Sequence, residues 1–383
     1  MKSTRLSALA VAATACSLVL AGCGGGGAGS SASDPAAVTE QMLALPEVDD
    51  SDGLVIDGEE VADADLLEAA RDDTVVWFTG SGQESAELTE ARFEAETGVD
   101  MKMTRLPSSS LNERILSEAG ANRLSAGVVT VTDPVIAEDL ADRDIFVPYA
   151  EMPVQDVVDE TPDLKWDDGK YYNAYYSAYA FAYNDQAVDP ADVPSSWRDL
   201  LDPRWKGKMG VVNAGAGGTV QGLADFQETV IGDDYWTGLA AQDPRIFDTT
   251  SVQLEALARG EIEVVTSGFN STYGAEEAGA PIKLVVPEEG VSGTFNMQGL
   301  TTTGQDSPAA QLFMNWTWSK SGQEFAAAQG FIGARTDIEQ VPTGDYQLPK
   351  ASDEEFVVYT PAQAKEEGPD IVARWNETFG FSG

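Results

Sequence analysis

Three short turns built from small and hydroxylated residues could hold an anion: Thr79-Gly80-Ser81, Ser108-Ser109-Ser110 and Asn213-Ala214-Gly215-Ala216-Gly217-Gly218-Thr219. Small side chains let a ligand approach the backbone, and hydroxyls add donors. Each turn leads into an expected helix, whose first N–H groups lack intrahelical partners and whose dipole favours negative charge. Thr79, Gly80, Ser81, Ser108, Ser109, Asn213, Gly215, Gly217 and Thr219 are therefore candidate contacts for a carboxylate, phosphate or phosphonate. The competing reading is a plain strand-to-helix turn closing on a capped helix. The glycine run lacks the Lys-Ser/Thr ending of a nucleotide-binding loop, which disfavours ATP.

A second cluster is aromatic: Tyr171, Tyr172, Tyr175, Tyr176, Tyr179 and Tyr183. From 175 to 183 the odd positions read Tyr, Ser, Tyr, Phe, Tyr and the even ones Tyr, Ala, Ala, Ala, a strand with one aromatic face. That face either packs against helices or offers phenolic O–H groups to a ligand. Histidine is absent, which removes Ser-His-Asp and Cys-His catalysis and every zinc site that needs imidazole. With 64 Asp and Glu residues a carboxylate pair exists on paper, so a secreted carboxylate-dependent hydrolase is the rival class. No paired-carboxylate motif emerges, and no catalytic residue, metal or cofactor is assigned. Asp50, Asp52, Gly53 and Glu59 fall at calcium-loop places, but Val48 occupies the first, and the stretch reads as a solvated acidic loop.

The elements that must position these residues follow from the rest of the text. The chain has 383 residues, 43% hydrophobic, enough for two or three domains or one two-lobed body. Asp and Glu outnumber 23 Lys and Arg to give −41, a balance that excludes a basic nucleic-acid face. Such a coat also suits a saline medium, where its repulsion is screened. From residue 62 the punctuation is α/β. A helix is expected at 65–71, a buried strand at 74–78, a helix at 87–97, a strand at 101–106, and a helix from 111 with Ser110 and Glu113 as capping box. A further strand at 127–132 ends at Asp133, another candidate contact. This alternation predicts a largely parallel sheet covered on both faces.

The first 33 residues read differently. Lys2 and Arg5 give a basic start, residues 6–20 are mostly apolar, and both cysteines, Cys16 and Cys23, lie here, so no disulfide braces the body. Leu20-Ala21-Gly22-Cys23 resembles the bacterial lipobox, which implies a diacylglycerol on Cys23 and loss of residues 1–22. Removal leaves 21 basic and 64 acidic residues, or −43. Gly24 to Gly27 and Ser30 to Ser33 then read as a flexible tether, and 34–59 as a loosely attached acidic extension with one short helix at 35–45.

Several stretches together resemble the ferric-iron-type branch of bacterial extracellular solute-binding proteins, the binding components of ABC importers. The most specific is Asp199-Leu200-Leu201-Asp202-Pro203-Arg204-Trp205-Lys206-Gly207-Lys208-Met209-Gly210, supported by Asp168-Gly169-Lys170, Tyr183-Asn184, Arg259-Gly260-Glu261 and Ala334-Arg335. The resemblance covers about 62–383 and implies an α/β, two-lobed type II periplasmic-binding fold with a hinge and an interlobe cleft. It places lobe one at 62–176 and 292–337, and lobe two at 177–291 and 338–383. It implies a monomer on the outer face of the cell membrane or in the periplasm, a small-molecule solute, and an ABC permease with a cytoplasmic ATPase as partners. Tyr175, Tyr176 or Tyr179 becomes a cleft candidate, because related proteins run this strand through the hinge. Family members that bind ferric iron directly carry two adjacent tyrosines where this chain has Thr272-Tyr273, after Asn270. Asn270 and Tyr273 join the candidates. Direct ferric binding stands as the alternative to an anionic solute.

Overall fold

The computed structural model describes residues 45–382. The expected export signal, Cys23, the expected tether and most of the helix expected at 35–45 lie outside those residues. Residues 45–59, the described part of the extension expected to be loosely attached, instead dock firmly together with 60–62. They form a small antiparallel sheet of β1 (Val48–Asp49), β2 (Leu54–Ile56) and β3 (Glu59–Ala62). Leu54, Ile56 and Val61 are buried, as burial of branched apolar side chains dictates. The Glu59 carboxylate accepts from Arg335 at 2.8 and 3.0 Å, and the Arg335 guanidinium also donates to Trp318 O at 2.9 Å and Asp337 at 2.7 Å. Asp50 pairs with Arg71 at 2.8 Å. Among the described residues no cluster of acidic side chains could hold a metal ion.

Asp63 caps α1 (Ala64–Arg71) by accepting from Leu66 N–H at 2.8 Å. The expected alternation then appears as β4 (Thr74–Thr79), α2 (Gln83–Thr97), β5 (Asp100–Arg105), α3 (Ser108–Gly120), β6 (Val128–Val131) and α4 (Pro134–Asp142). These strands lie parallel in the order β5-β4-β6. After α5 (Gln155–Glu160) and β7 (Lys165–Trp166) comes the 14-residue β8 (Tyr171–Asn184). A second α/β block follows: β9 (Met209–Val212), α6 (Gly218–Phe226), α7 (Tyr235–Ala241), β10 (Arg245–Phe247), α8 (Thr250–Ala258), β11 (Val264–Gly268), α9 (Phe269–Glu277) and β12 (Ile282–Val285). Its parallel order is β10-β9-β11. The chain returns on β13 (Val291–Leu300) and continues through α10 (Pro308–Trp318), α11 (Lys320–Ala328), β14 (Ile332–Gly333), β15 (Phe356–Tyr359) and α12 (Pro361–Phe379).

The sheet is mixed rather than largely parallel, because β8 and β13 run antiparallel to each other and to the blocks they join. The end of β8 pairs with β11 through Tyr179 to Tyr183, whereas the end of β13 pairs with β6 through Met297 to Leu300. These two strands alone thread both blocks of the sheet. Their register shifts at Asn296/Met297. There Asn173 Oδ1 accepts from Asn296 N–H at 3.0 Å, while Asn296 Nδ2 donates to Tyr175 O at 3.2 Å and Ser177 Oγ at 3.0 Å. A bulge adds an unpaired residue, and side-chain amides here replace the lost ladder bonds.

The segment 199–210 serves as the entry to β9. Ser196 caps the turn Trp197–Leu201 with a capping box closed by Asp199, and Asp202 caps Pro203–Trp205. Trp205, nearly buried, donates its indole N–H to Asp199 O at 3.0 Å, and Gly207 reverses the chain at φ +73°. These local bonds fix the entry of the chain into β9.

One buried acid outside the cleft gives a pH-dependent expectation. Asp225 on α6 is 4% exposed, and burial, with Glu367 and Glu228 nearby and Arg374 opposing, pushes its carboxyl up to about 6. The native state thus keeps this proton to higher pH than the unfolded chain does. Its stabilising contribution is complete below about pH 4 and is lost as pH rises through about 6. Asp225→Asn is expected to raise stability by about 2 kcal/mol at pH 7 and by nothing at pH 3.5. Thermal melts of both proteins across that range check the crossover; equal midpoints at pH 7 would contradict it.

Candidate functional site

The turns leaving β4, β5 and β6 meet at one place. Thr79 is buried, and its Oγ1 accepts from Ser81 N–H at 3.1 Å, closing the turn. Gly80 N–H donates to Thr130 O at 2.9 Å, and a Cβ at Gly80 would lie only 2.7 Å from Ser108 Oγ. Ser108 Oγ in turn lies 3.0 Å from Thr132 Oγ1. Ser81 Oγ is 3.2 Å from Tyr175 OH. Arg105, at the end of β5, donates from Nε to Ser81 O at 2.9 Å. The side chain of Ser109 is outside the described set, though its backbone lies in the first turn of α3.

The second block faces this cluster. A Cβ at Gly218, the first residue of α6, would lie 3.5 Å from Thr132 O, so the two blocks nearly touch there. Gly215 and Gly217 are exposed beside it, Thr219 is half-buried, and Asn213 donates from Nδ2 to Phe247 O at 3.3 Å. Tyr179 OH lies 3.1 Å from Thr250 Oγ1, and a Cβ at Gly268 would lie 3.0 Å from the Tyr179 ring. Burial pushes the Tyr175 and Tyr179 phenols up, so both stay neutral donors.

Four helices reach this region with no side-chain cap: α2 behind Gly82, α3 behind Pro107, α6 behind Gly217 and α9 behind Gly268. The other described helices of eight or more residues are each capped by an Asp, Ser or Thr. The expected capping box at Ser110 and Glu113 is absent because α3 starts at Ser108; α2 likewise starts four residues before its expected position. Uncapped first turns leave several N–H donors without a side-chain acceptor.

Charge adds to this picture. Among the described residues only Lys102, Arg105, Arg123 and Lys206 make no ion pair; three of these are exposed, and Arg105 alone is half-buried. In a chain with 64 carboxylates, a half-buried arginine with no acidic partner stands ready for an external anion.

Not every candidate belongs to this cluster. Asp133 Oδ1 accepts from Val135 N–H at 2.9 Å, so its carboxylate closes the α4 N-terminus to other anions. Tyr176 is buried against Phe295 and Phe356, with ring centroids 5.2 and 5.3 Å away, and burial pushes its phenol up to about 12. It is core, and its neighbour Tyr175 is the residue that reaches Ser81. Tyr273 is buried 6.4 Å from the Tyr346 ring and beneath Gly344, where burial and Glu277 push its phenol up to about 12. Thr272 Oγ1 is fully buried, donating within the block toward Gly268 O (2.8 Å) and Ser267 Oγ (2.9 Å). Asn270 lies against Gly330 at the closure between blocks. Sequence reasoning missed Arg105, Thr132 and Thr250; Arg105 had a signal in its place at the end of an expected strand.

Beside the hydroxyl cluster, and sharing Thr132 with it, lies a cavity of about 410 Å³ between Asp133, Gly215, Gly218 and the C-terminal helix.

Comparison with known proteins agrees with this architecture. Residues 124–352 match the family described as bacterial extracellular solute-binding protein. The Fe(3+)-binding periplasmic protein of Serratia marcescens is 22% identical over 299 residues, which cover 74% of this chain and 86% of that protein. Iron-bound HitA from Pseudomonas aeruginosa superposes with a TM-score of 0.61 at 18% identity, covering 80% of this chain and 99% of HitA. AfuA from Actinobacillus pleuropneumoniae, with fructose-6-phosphate bound, gives 0.62 at 22% identity, covering 81% and 99%. Two α/β blocks joined by β8 and β13 are thus the two lobes of a type II periplasmic-binding fold, and the chain belongs to the bacterial extracellular solute-binding proteins of ABC importers.

Proposed function

We propose that this protein is a lipid-anchored solute-binding component that closes around a small solute carrying an anionic oxygen group and presents it to a permease. The observation that carries the anion is the meeting of the uncapped α2, α3 and α6 N-termini with the hydroxyls of Ser81, Ser108 and Thr132 and with the unpaired Arg105. Lobe one comprises 62–176 and 292–337, and lobe two 177–291 and 338–383; the crossing of β8 and β13 near Ser177 and Thr294 supports that division. The ligand favours the closed state because it can bridge donors from both lobes only there. A relative binds a sugar phosphate and others bind iron. Direct ferric binding is disfavoured here, since Thr272 replaces a phenolate and its hydroxyl is engaged within lobe two. No catalytic group is required for this role.

The test is native mass spectrometry of gently purified protein, followed by calorimetry with phosphonates, sugar phosphates, carboxylates, neutral sugars and polyamines. Binding confined to anions is expected. Tight binding of a polyamine or neutral sugar with every anion silent would overturn the reading.

The lipid anchor rests on the basic start, apolar run and small residues before Cys23. Two acyl chains give the stable attachment that one does not. Cys23→Ser is expected to move the protein from the detergent phase to the medium. Quantitative retention in detergent would remove the anchor assignment.

A further inference from the structure

The 410 Å³ cavity beside the hydroxyl cluster has walls unlike those of the cluster. Val135, Phe295, Tyr359, Ala364 and Val372 line it from α4, β13, β15 and α12. Its polar lining includes Thr132, the Gln221 amide and Asp133, one of whose oxygens accepts from Val135 N–H. One polar atom in its wall is unsatisfied: Thr294 Oγ1 is buried without a hydrogen-bond partner, on a residue 5% exposed. The cavity is continuous with the proposed anion site, since Thr132 lines it and also contacts Ser108, and Gly218 opens both α6 and the cavity.

We propose that this cavity is the subsite for the organic part of the solute, and that this part is apolar: a short alkyl chain or a single ring joined to the anionic head. The inference rests on the anion reading above and specifies the substrate class of that same site. Apolar side chains outnumber the groups that could bond a sugar's hydroxyls, chiefly the Gln221 amide and the second Asp133 oxygen, so most of the bound surface gains by being apolar. The volume lies in the range of small-ligand pockets and accommodates a phenyl group or a chain of about six carbons. Because residues of both lobes wall it, a tail of the right length bridges them and favours closure.

The test is calorimetry with two series, n-alkylphosphonates and n-alkylcarboxylates from one to seven carbons, beside phenylphosphonate, inorganic phosphate and glucose 6-phosphate. In the series whose head is accepted, Kd is expected to fall about threefold to fourfold per methylene up to about six carbons and then level off. Phenylphosphonate is expected to bind more tightly than glucose 6-phosphate. Val372→Trp and Val135→Trp, on different walls and neither fully buried, are each expected to shrink the ratio of hexyl to methyl affinity at least tenfold. If short anions bind but lengthening the tail does nothing, or the sugar phosphate binds best, the subsite is wrong and the anion site stands. If neither series nor any phosphate binds, both fall.

Discussion

Arg105→Ala is expected to weaken binding of a phosphonate or carboxylate about 10-fold to 100-fold. A hydrogen bond to a charged group in a water-poor cleft contributes about 1.5–3 kcal/mol, and Arg105 is the half-buried cation with no competing carboxylate. Arg105→Lys should recover part of the loss, because the ammonium keeps the charge but not the planar fork. The effect should appear mainly in the dissociation rate. Association is governed instead by the field of a chain near −41, which repels an anion at long range and is screened beyond about 8–10 Å in physiological salt. Capture should therefore speed up with ionic strength, the reverse of the usual steering effect. Stopped-flow measurements at two salt concentrations on wild type and both variants check the pattern. Unchanged affinity in Arg105→Ala would take this residue out of the site.

Arg335→Ala should cost about 2–3 kcal/mol, less than loss of a wholly buried pair, because Glu59 and Asp337 keep 23% and 45% of their side-chain surface exposed. The Arg335 side chain is 4% exposed and joins Glu59, Asp337 and the Trp318 carbonyl. Removing it leaves the half-buried Glu59 against α11 without its cation and unfastens β2 and β3 from lobe one. Glu59→Gln should cost less, because Asp337 still compensates the arginine. Denaturant titration of the three proteins checks the order. Equal stability of Arg335→Ala and wild type would show that the hairpin is held by its apolar residues alone.

Much of the fold was legible before the structure. The strands at 74–79 and 128–131 announced themselves as short apolar runs between turn residues, and the α/β alternation fixed the class. What periodicity could not supply was β8 and β13 running against their neighbours, since strand direction depends on connections and not on local pattern. Helix starts were misplaced for a telling reason. Sequence reading looks for a side chain that caps, and it put α2 and α3 too late because Gly82 and Pro107 cap nothing. The missing caps are the very donors a ligand would use. Tyr176 was misjudged because alternation along β8 distinguishes two faces without saying which one meets the turns, and the bulge at Asn296 lies between them. The docking of residues 45–62 escaped notice because its partner, Arg335, is 276 positions from Glu59.

The amide stitch between Asn173 and Asn296 constrains how much work a bound solute must do. Pinned there, the crossing strands can bend but cannot slide past one another without turning every side chain to the opposite face. Opening therefore breaks no ladder between them, and its cost comes only from contacts made across the mouth. Among the described residues these include an exposed Lys365–Glu138 pair at 2.8 Å, Thr343 Oγ1 donating to Ala327 O at 2.7 Å, Gln340 bonding to Gly333 N–H and Phe331 O, and glycine surfaces at Gly218 and Gly330 beside Thr132 and Asn270. An exposed pair contributes about 0–1 kcal/mol. A solute that adds bonds across the mouth shifts this equilibrium by as much as its affinity for the closed form exceeds that for the open one.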